Sequence, residues 1–186
     1  MLRPLLASFG ALALLTGLVY PLALTGLAQV LFPQQASGSL IWVGGQIRGS
    51  RLVAQATEDP RYFWCRPSAT AAFPTHAGAS GGSCLAPSNP ALAQAVAVRV
   101  AALRASDPGN GEPIPQDLVT ASASGLDPHI SLEGAQWQVR RVARLRGLSP
   151  RDVEGLIARR AVRSALGPTR VNVLELNRAL DSELGR

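Results

Sequence analysis

The 28 residues Leu5–Phe32, LLASFGALALLTGLVYPLALTGLAQVLF, contain no charged side chain. A helix that crosses a bilayer needs ~20 predominantly apolar residues, so this run is long enough to span with some tilt. The competing reading is a cleaved signal peptide, for which Gly26-Leu27-Ala28 offers a small-x-small site. The apolar core of such a peptide is only ~7–15 residues long, which this run exceeds, so an uncleaved anchor is the better reading. Arg3 stands directly before the run, whereas Pro33 to Ile47 carry no charge. The positive-inside tendency then predicts residues 1–4 in the cytoplasm, 5–32 across the membrane and 33–186 outside.

The anchor is not uniformly greasy. Pro21 removes the helix bond to the carbonyl of Gly17 and predicts a kink there. Thr16 and Tyr20 lie four residues apart, as do Thr25 and Gln29, so each pair shares a face. Gly10, Gly17 and Gly26 allow close backbone approach. Small and hydrogen-bonding residues of this kind are enriched where membrane helices pack on one another. Thr16, Gly17, Tyr20, Pro21 and Thr25 are therefore the candidate helix-packing residues.

All eighteen basic residues are arginine, and the chain has no lysine. That excludes a phosphate-binding P-loop, which needs its GK[ST] lysine, and Schiff-base chemistry, which needs an amine. A formal charge of +6 leaves nucleic acid or anionic lipid open as partners.

Beyond the anchor, GSLIWVGGQIRGSRLVAQ predicts strands at Leu40–Val43 and Arg51–Gln55, and RYFWCRPSAT predicts an aromatic strand. FPTHAGASGGSCLAPSNP is loop material. Asn89-Pro90 opens a helix with Leu92, Val96, Val100 and Leu103 on one face. A second helix is expected over about Leu132–Arg146, burying Val139, Val142 and Ala143 and ending at Gly147. Ser149-Pro150-Arg151-Asp152 caps a third, with Val153, Leu156 and Ile157 facing inward. RVNVLELNRAL closes as a short strand turning into a helix. The fold class is mixed α/β, of the α+β kind, anchored by one N-terminal transmembrane helix.

Four patterns bear on chemistry. Gly78-Ala79-Ser80-Gly81-Gly82 fits G-x-S-x-G, with Asp127 and His129 following in α/β-hydrolase order, but a nucleophile elbow requires a strand-to-helix turn and this motif sits in a Gly/Ser/Pro loop. His76, His129, Cys65 and Cys84 match no zinc spacing. Cys65 and Cys84 are a candidate disulfide if the domain is exported, against the alternative of two buried free thiols. Residues 138–163 hold eight arginines on two helices joined by GLSP. That outline allows a membrane-anchored DNA-binding regulator as the alternative function. It requires a cytoplasmic domain, opposite to the expected topology. Arg140, Arg141 and Arg144 also fall opposite the apolar face, where a solvated arginine surface is the ordinary reading.

DLVTASASGLDPHIS, residues 117–131, looks chemical but reads as a structured turn. Asp127-Pro128 is a cap-and-first-turn signal and Gly125 allows a bend before it. Ser122, Ser124 and Ser131 suit local side-chain-to-backbone bonds. His129 is expected to be fixed and hydrogen-bonded rather than a base. No catalytic, metal-binding or cofactor-binding residue is assigned.

Taken in order, TGLVYPL, GSRLVAQ, YFWCRPSAT, SGGSCLAPSNP, DLVTASASGLDPHIS, QVRRVARLRGL and VNVLELNRAL resemble the potassium-transporting ATPase C chain, the KdpC family. Cys84 stands where the family pattern has Asn, and Ala54 where it has Gly. The resemblance implies a non-catalytic subunit of the Kdp complex, a P-type ATPase for high-affinity potassium import in the bacterial inner membrane. Its partners would be a potassium-channel-like subunit, an ATP-hydrolysing subunit and the lipid bilayer, with no nucleic acid. ATP and potassium would be handled by the complex, the C chain serving assembly and raising ATP affinity as a catalytic chaperone. With no phosphate loop in this chain, and ATP across the membrane from its domain, an ATP effect would be indirect.

Overall fold

The computed structural model describes residues 2–165 and 167–184. Met1, Leu166, Gly185 and Arg186, the last three within the expected outer domain, lie outside the described residues. The chain divides into two units, one up to Ser50 and one from Arg51 onward.

In the first unit the uncharged run folds as expected into helix, α1 (Leu2–Leu14), a π-helical turn (Leu15–Val19) and α2 (Tyr20–Leu31). A short α3 (Pro33–Ala36) follows. Then β1 (Leu40–Val43) pairs antiparallel with β2 (Gln46–Ser50). The expected second strand at Arg51–Gln55 is therefore displaced. Gly44 and Gly45, at φ of 58° and 78°, make a two-residue hairpin turn that needs positive φ at both positions. The chain returns at once, β2 is complete at Ser50, and residues 51–53 form turn and bend.

The second unit is built on a three-stranded antiparallel sheet in the order β3 (His129–Ser131), β5 (Arg170–Asn172), β4 (Ala161–Val162). Ile130 pairs with Val171, which also faces Ala161. Helices α6 (Leu132–Arg146), α7 (Pro150–Arg160) and α8 (Val173–Glu183) pack with this sheet. Val139, Val142, Val153, Leu156, Ile157, Leu176 and Leu180 are all buried in one core, as the helical spacing of the first five predicts. Gly147 ends α6 in the left-handed region at φ 66°. Ser149 departs from its expected role: its side chain makes no cap bond, and its carbonyl instead receives Asp152 N and Val153 N.

Helix α4 (Pro90–Ser106) starts where expected, with Asn89 Oδ1 accepting from Ala91 N at 2.9 Å. Only Leu103 of its apolar face is fully buried. The helix is held also by its arginines, Arg99 donating to Val119 O at 3.0 Å and Arg104 to Glu112 O at 2.9 Å. A turn of helix, α5 (Gln116–Val119), then delivers Asp117 to the start of α6. Its carboxylate accepts from Ser131 N at 2.6 Å and Ser131 Oγ at 3.1 Å, while Ser131 Oγ accepts from Gly134 N at 2.8 Å. One acid thus braces the cap of the central helix.

The expected aromatic strand over RYFWCRPSAT is not a strand. Phe63 and Trp64 run without regular secondary structure, and their backbone groups meet side-chain amides instead of a sheet partner. Asn177 on α8 accepts from Phe63 N at 2.8 Å and donates to Phe63 O at 3.0 Å. Gln138 on α6 accepts from Trp64 N at 2.8 Å and donates to Trp64 O at 3.2 Å. Each amide copies the donor–acceptor pair of a neighbouring strand, so the aromatic segment lies over the helices without one.

Candidate functional site

Along the apolar helix, the feature with chemical content is the π turn ahead of Pro21. Proline lacks an N–H, and its ring would strike the carbonyl four residues back. Widening the preceding turn relieves this: Tyr20 N donates to Leu15 O, five residues back. A π turn also carries one extra residue, which re-aims the side chains before it relative to those after it. Gly17 lies inside this turn with open space where a Cβ would be. Thr16 donates to Leu12 O at 2.8 Å, so its proton serves its own helix and its oxygen remains an acceptor. Thr16, Gly17, Tyr20, Pro21 and Thr25 all lie on the exposed surface of a helix that is apolar on every side and buried nowhere among its described residues.

Ser122, Ser124, Gly125, Asp127, Pro128 and His129 form a junction where four chain segments meet. Ser122 is buried, and its N–H donates to Pro67 O at 3.0 Å. Ser124 Oγ accepts from Leu126 N at 3.1 Å, and its carbonyl accepts from Gly81 N at 2.9 Å and Ser80 Oγ at 3.1 Å. Leu126 O accepts from Ala54 N, and Pro128 O from Val173 N, both at 2.9 Å. Gly125 sits at φ 68°, and a Cβ there would come within 2.5 Å of Thr70 Cγ2 and 2.7 Å of Gly81 O. This position admits glycine only.

Asp127 does not begin a helix, as its Asp-Pro signal predicts. Its Oδ1 accepts from His129 N at 3.0 Å, a two-residue turn that feeds β3, because His129–Ser131 find partners in Arg170–Asn172. His129 Nδ1 lies 3.4 Å from Asp127 Oδ1, and Arg66 Nη1 3.4 Å from Oδ2. The His129 ring, then its N–H and Arg66, hold the Asp127 carboxyl below its usual range despite partial burial. A cavity of about 250 Å³ beside this turn is lined by Arg66, Asp117, Asp127, His129, Ser131 and Arg170 among others. Both of its aspartates already have partners, in Ser131 and in Arg66 with His129.

Ser80 is not joined to an imidazole: its hydroxyl donates to a backbone carbonyl, with no strand leading in and no helix leading out. His76 lies against Phe73 with ring centroids 4.3 Å apart. Among the described residues no three His, Cys, Asp or Glu side chains gather as a metal site. The candidate disulfide is not formed: Cys65 and Cys84 are both free thiols. Cys65 Sγ points at Gln55 O, 3.5 Å away, and burial pushes its thiol up to about 11, whereas Cys84 is exposed in the loop.

One of the three α6 arginines expected on a solvated face departs from it. Arg141 is not part of a solvated face but fully buried. Its guanidinium lies over the Trp64 ring, 4.1 Å from the centroid, and donates to Pro60 O, to Tyr62 O at 3.0 Å and to Gln138 Oε1 at 2.7 Å. Burial lowers it to about 10, so it stays charged at neutral pH. Arg144 reaches Asp107 at 3.4 Å, Arg140 donates to Gly109 O, and Arg146 donates to Arg61 O at 2.9 Å and Asp181 at 2.7 Å. These guanidiniums fasten loops to the helix, while Arg140 and Arg144 remain 58% and 51% exposed on the solvated face expected of them. Gln138 and Asn177, central to that fastening, escaped the sequence reading. The one signal available was Gln138 and Arg141 at i, i+3 between buried Ala135 and Val142.

The chain matches the family model for the K+-transporting ATPase, c chain, over residues 2–182. It is 58% identical to the potassium-transporting ATPase KdpC subunit of Variovorax paradoxus (strain S110), covering 97% of this chain and 95% of that relative. It is 60% identical to the subunit of the same name from Methylibium petroleiphilum, covering 97% and 96%.

Proposed function

The chain belongs to the KdpC family, the c chains of K+-transporting ATPases, and from that premise we propose that it is a non-catalytic assembly subunit whose membrane helix docks it into the pump. The helix packs against the membrane helices of a potassium-channel-like subunit and an ATP-hydrolysing subunit. Its amino end lies in the cytoplasm, and residues 33–186 stand outside the bacterial inner membrane, stabilising the assembled complex. A rise in ATP affinity of the hydrolysing subunit would be transmitted through helix packing, which biases the pump between its states.

One observation carries this reading: an apolar helix of 30 residues, none of them buried, is interrupted by a π turn at a proline. A mere anchor needs no such break, whereas packed membrane helices use small residues, hydroxyls and local irregularity to fit neighbours. Replacing Leu5–Phe32 by a Leu-rich helix of equal length tests it. Membrane insertion should persist, co-purification with the other subunits should weaken, and growth at micromolar potassium should fail while growth in potassium-rich medium continues. A Leu-rich variant that assembles and supports growth on scarce potassium would reduce the helix to an anchor.

A further inference from the structure

We propose that the tip of the β1–β2 hairpin is a second membrane contact, resting in the headgroup layer of the bilayer that holds the helix. The absence of charge does not stop at the helix end: from Pro4 to Ile47 the chain carries no charged side chain, and the next charge is Arg48. The hairpin tip is thus joined to the spanning segment by a short polar link that carries no charge. It also shows large apolar side chains, with Gln46 opposite Val43 as its polar one. Trp42 pairs directly with Ile47, which puts the two side chains on one face, and Val43 follows on the other. They are 59%, 53% and 44% exposed. A two-stranded hairpin in water is marginal on its own, and one that shows tryptophan, isoleucine and valine to solvent is more so.

The bilayer surface is the occupant that fits. Ser39 N donates to Gln34 O at 2.9 Å, and Ser50 Oγ donates to Gly38 O at 2.7 Å. The base of the hairpin is thereby tied to the turn that follows α3, a few residues from the end of α2. Four to five residues of strand reach about 15 Å from that base, and the polar layer on each side of the hydrocarbon is only ~5–7 Å deep. Tryptophan favours this layer, where its ring is half in hydrocarbon and its N–H is wet. An uncharged tip crosses into it without stripping water from a charge.

The inference rests on the helix being inserted, so the test measures insertion separately. Full-length chain and its Trp42→Phe variant are reconstituted into vesicles of ordinary phosphatidylcholine, or of one brominated near the headgroup end of its acyl chains. Alkaline carbonate extraction checks the helix in each. Brominated lipid should quench the wild-type emission, and most of that quenching should be lost in Trp42→Phe, because Trp137 is buried and Trp64 is packed against the core of its own unit. Aqueous iodide should quench the Trp42 component weakly. Equal emission in both lipids, with iodide quenching Trp42 while the helix remains inserted, overturns the proposal and leaves the anchor standing. Release by carbonate overturns both. The same measurement on the assembled complex in brominated nanodiscs supplies the last arm. Protection from iodide without lipid quenching there would mean that a partner subunit covers the tip, and would also overturn it.

Discussion

Replacing Gln138 by Met keeps the volume of this fully buried side chain but removes every polar bond it makes to the aromatic segment. Trp64 N at 2.8 Å, Trp64 O at 3.2 Å and Arg141 Nη2 at 2.7 Å then lose a partner, and Gly134 O, a carbonyl within the helix, loses the amide 3.2 Å away. A buried neutral group left unsatisfied costs ~1–3 kcal/mol and a bond to a charged group contributes ~1.5–3 kcal/mol, so the loss is at most about 9 kcal/mol. Burial of the thioether returns ~1–2 kcal/mol, and local opening to water recovers more. The expected net cost is ~3–5 kcal/mol, a large part of the ~5–15 kcal/mol that holds an ordinary domain together. Thermal unfolding should fall by about 10–20 °C. Asn177→Leu strands only the two backbone groups of Phe63 and should cost less, ~2–3 kcal/mol. The assay is urea unfolding of the full chain in mild detergent, followed by near-ultraviolet circular dichroism, because Trp64 and Trp137 lie against this network. A Gln138→Met cost below about 1 kcal/mol, or one smaller than that of Asn177→Leu, would refute the view that side-chain amides replace a sheet partner here.

Gly125→Ala should destabilise the second unit by about 2–3 kcal/mol, since it adds both left-handed strain and a clash to a closed site; the same urea titration reads it. Asp127 has a folded carboxyl held low, so its contribution is present above the unfolded value near ~3.9 and fades as pH falls through the folded one. Asp127→Asn should therefore flatten the acid limb of stability below about pH 4, measured by unfolding across a pH series. A neutral-pH maleimide should label exposed Cys84 within minutes and spare Cys65 until denaturant is added, because a thiol at about 11 offers almost no thiolate; mass analysis of timed samples decides it.

The amino-acid order by itself determined the features whose causes lie within a few residues. An uncharged run of membrane length, Asn89 before Pro90, Gly147 after the last apolar position of α6 and the 3.6-residue spacing of Val139, Val142, Val153 and Leu156 each state their structure locally. The Asp127 turn was legible for the same reason, since the bonds from His129 N to Asp127 Oδ1 and from Leu126 N to Ser124 Oγ each span two residues. What followed that turn was not: Asp-Pro signals a helix start, and pairing with Arg170–Asn172 decided for a strand instead. The Gly44-Gly45 hairpin was readable, but two Gly-Ser pairs drew the second strand too late. Tertiary structure alone decided the rest. Gln138 finds Trp64 across 74 positions, Asn177 finds Phe63 across 114, and Arg141 finds Pro60 across 81. A buried arginine on a helix has the same sequence signature as a solvated one; only the chain folded over it supplies the carbonyls and the indole ring that make burial affordable.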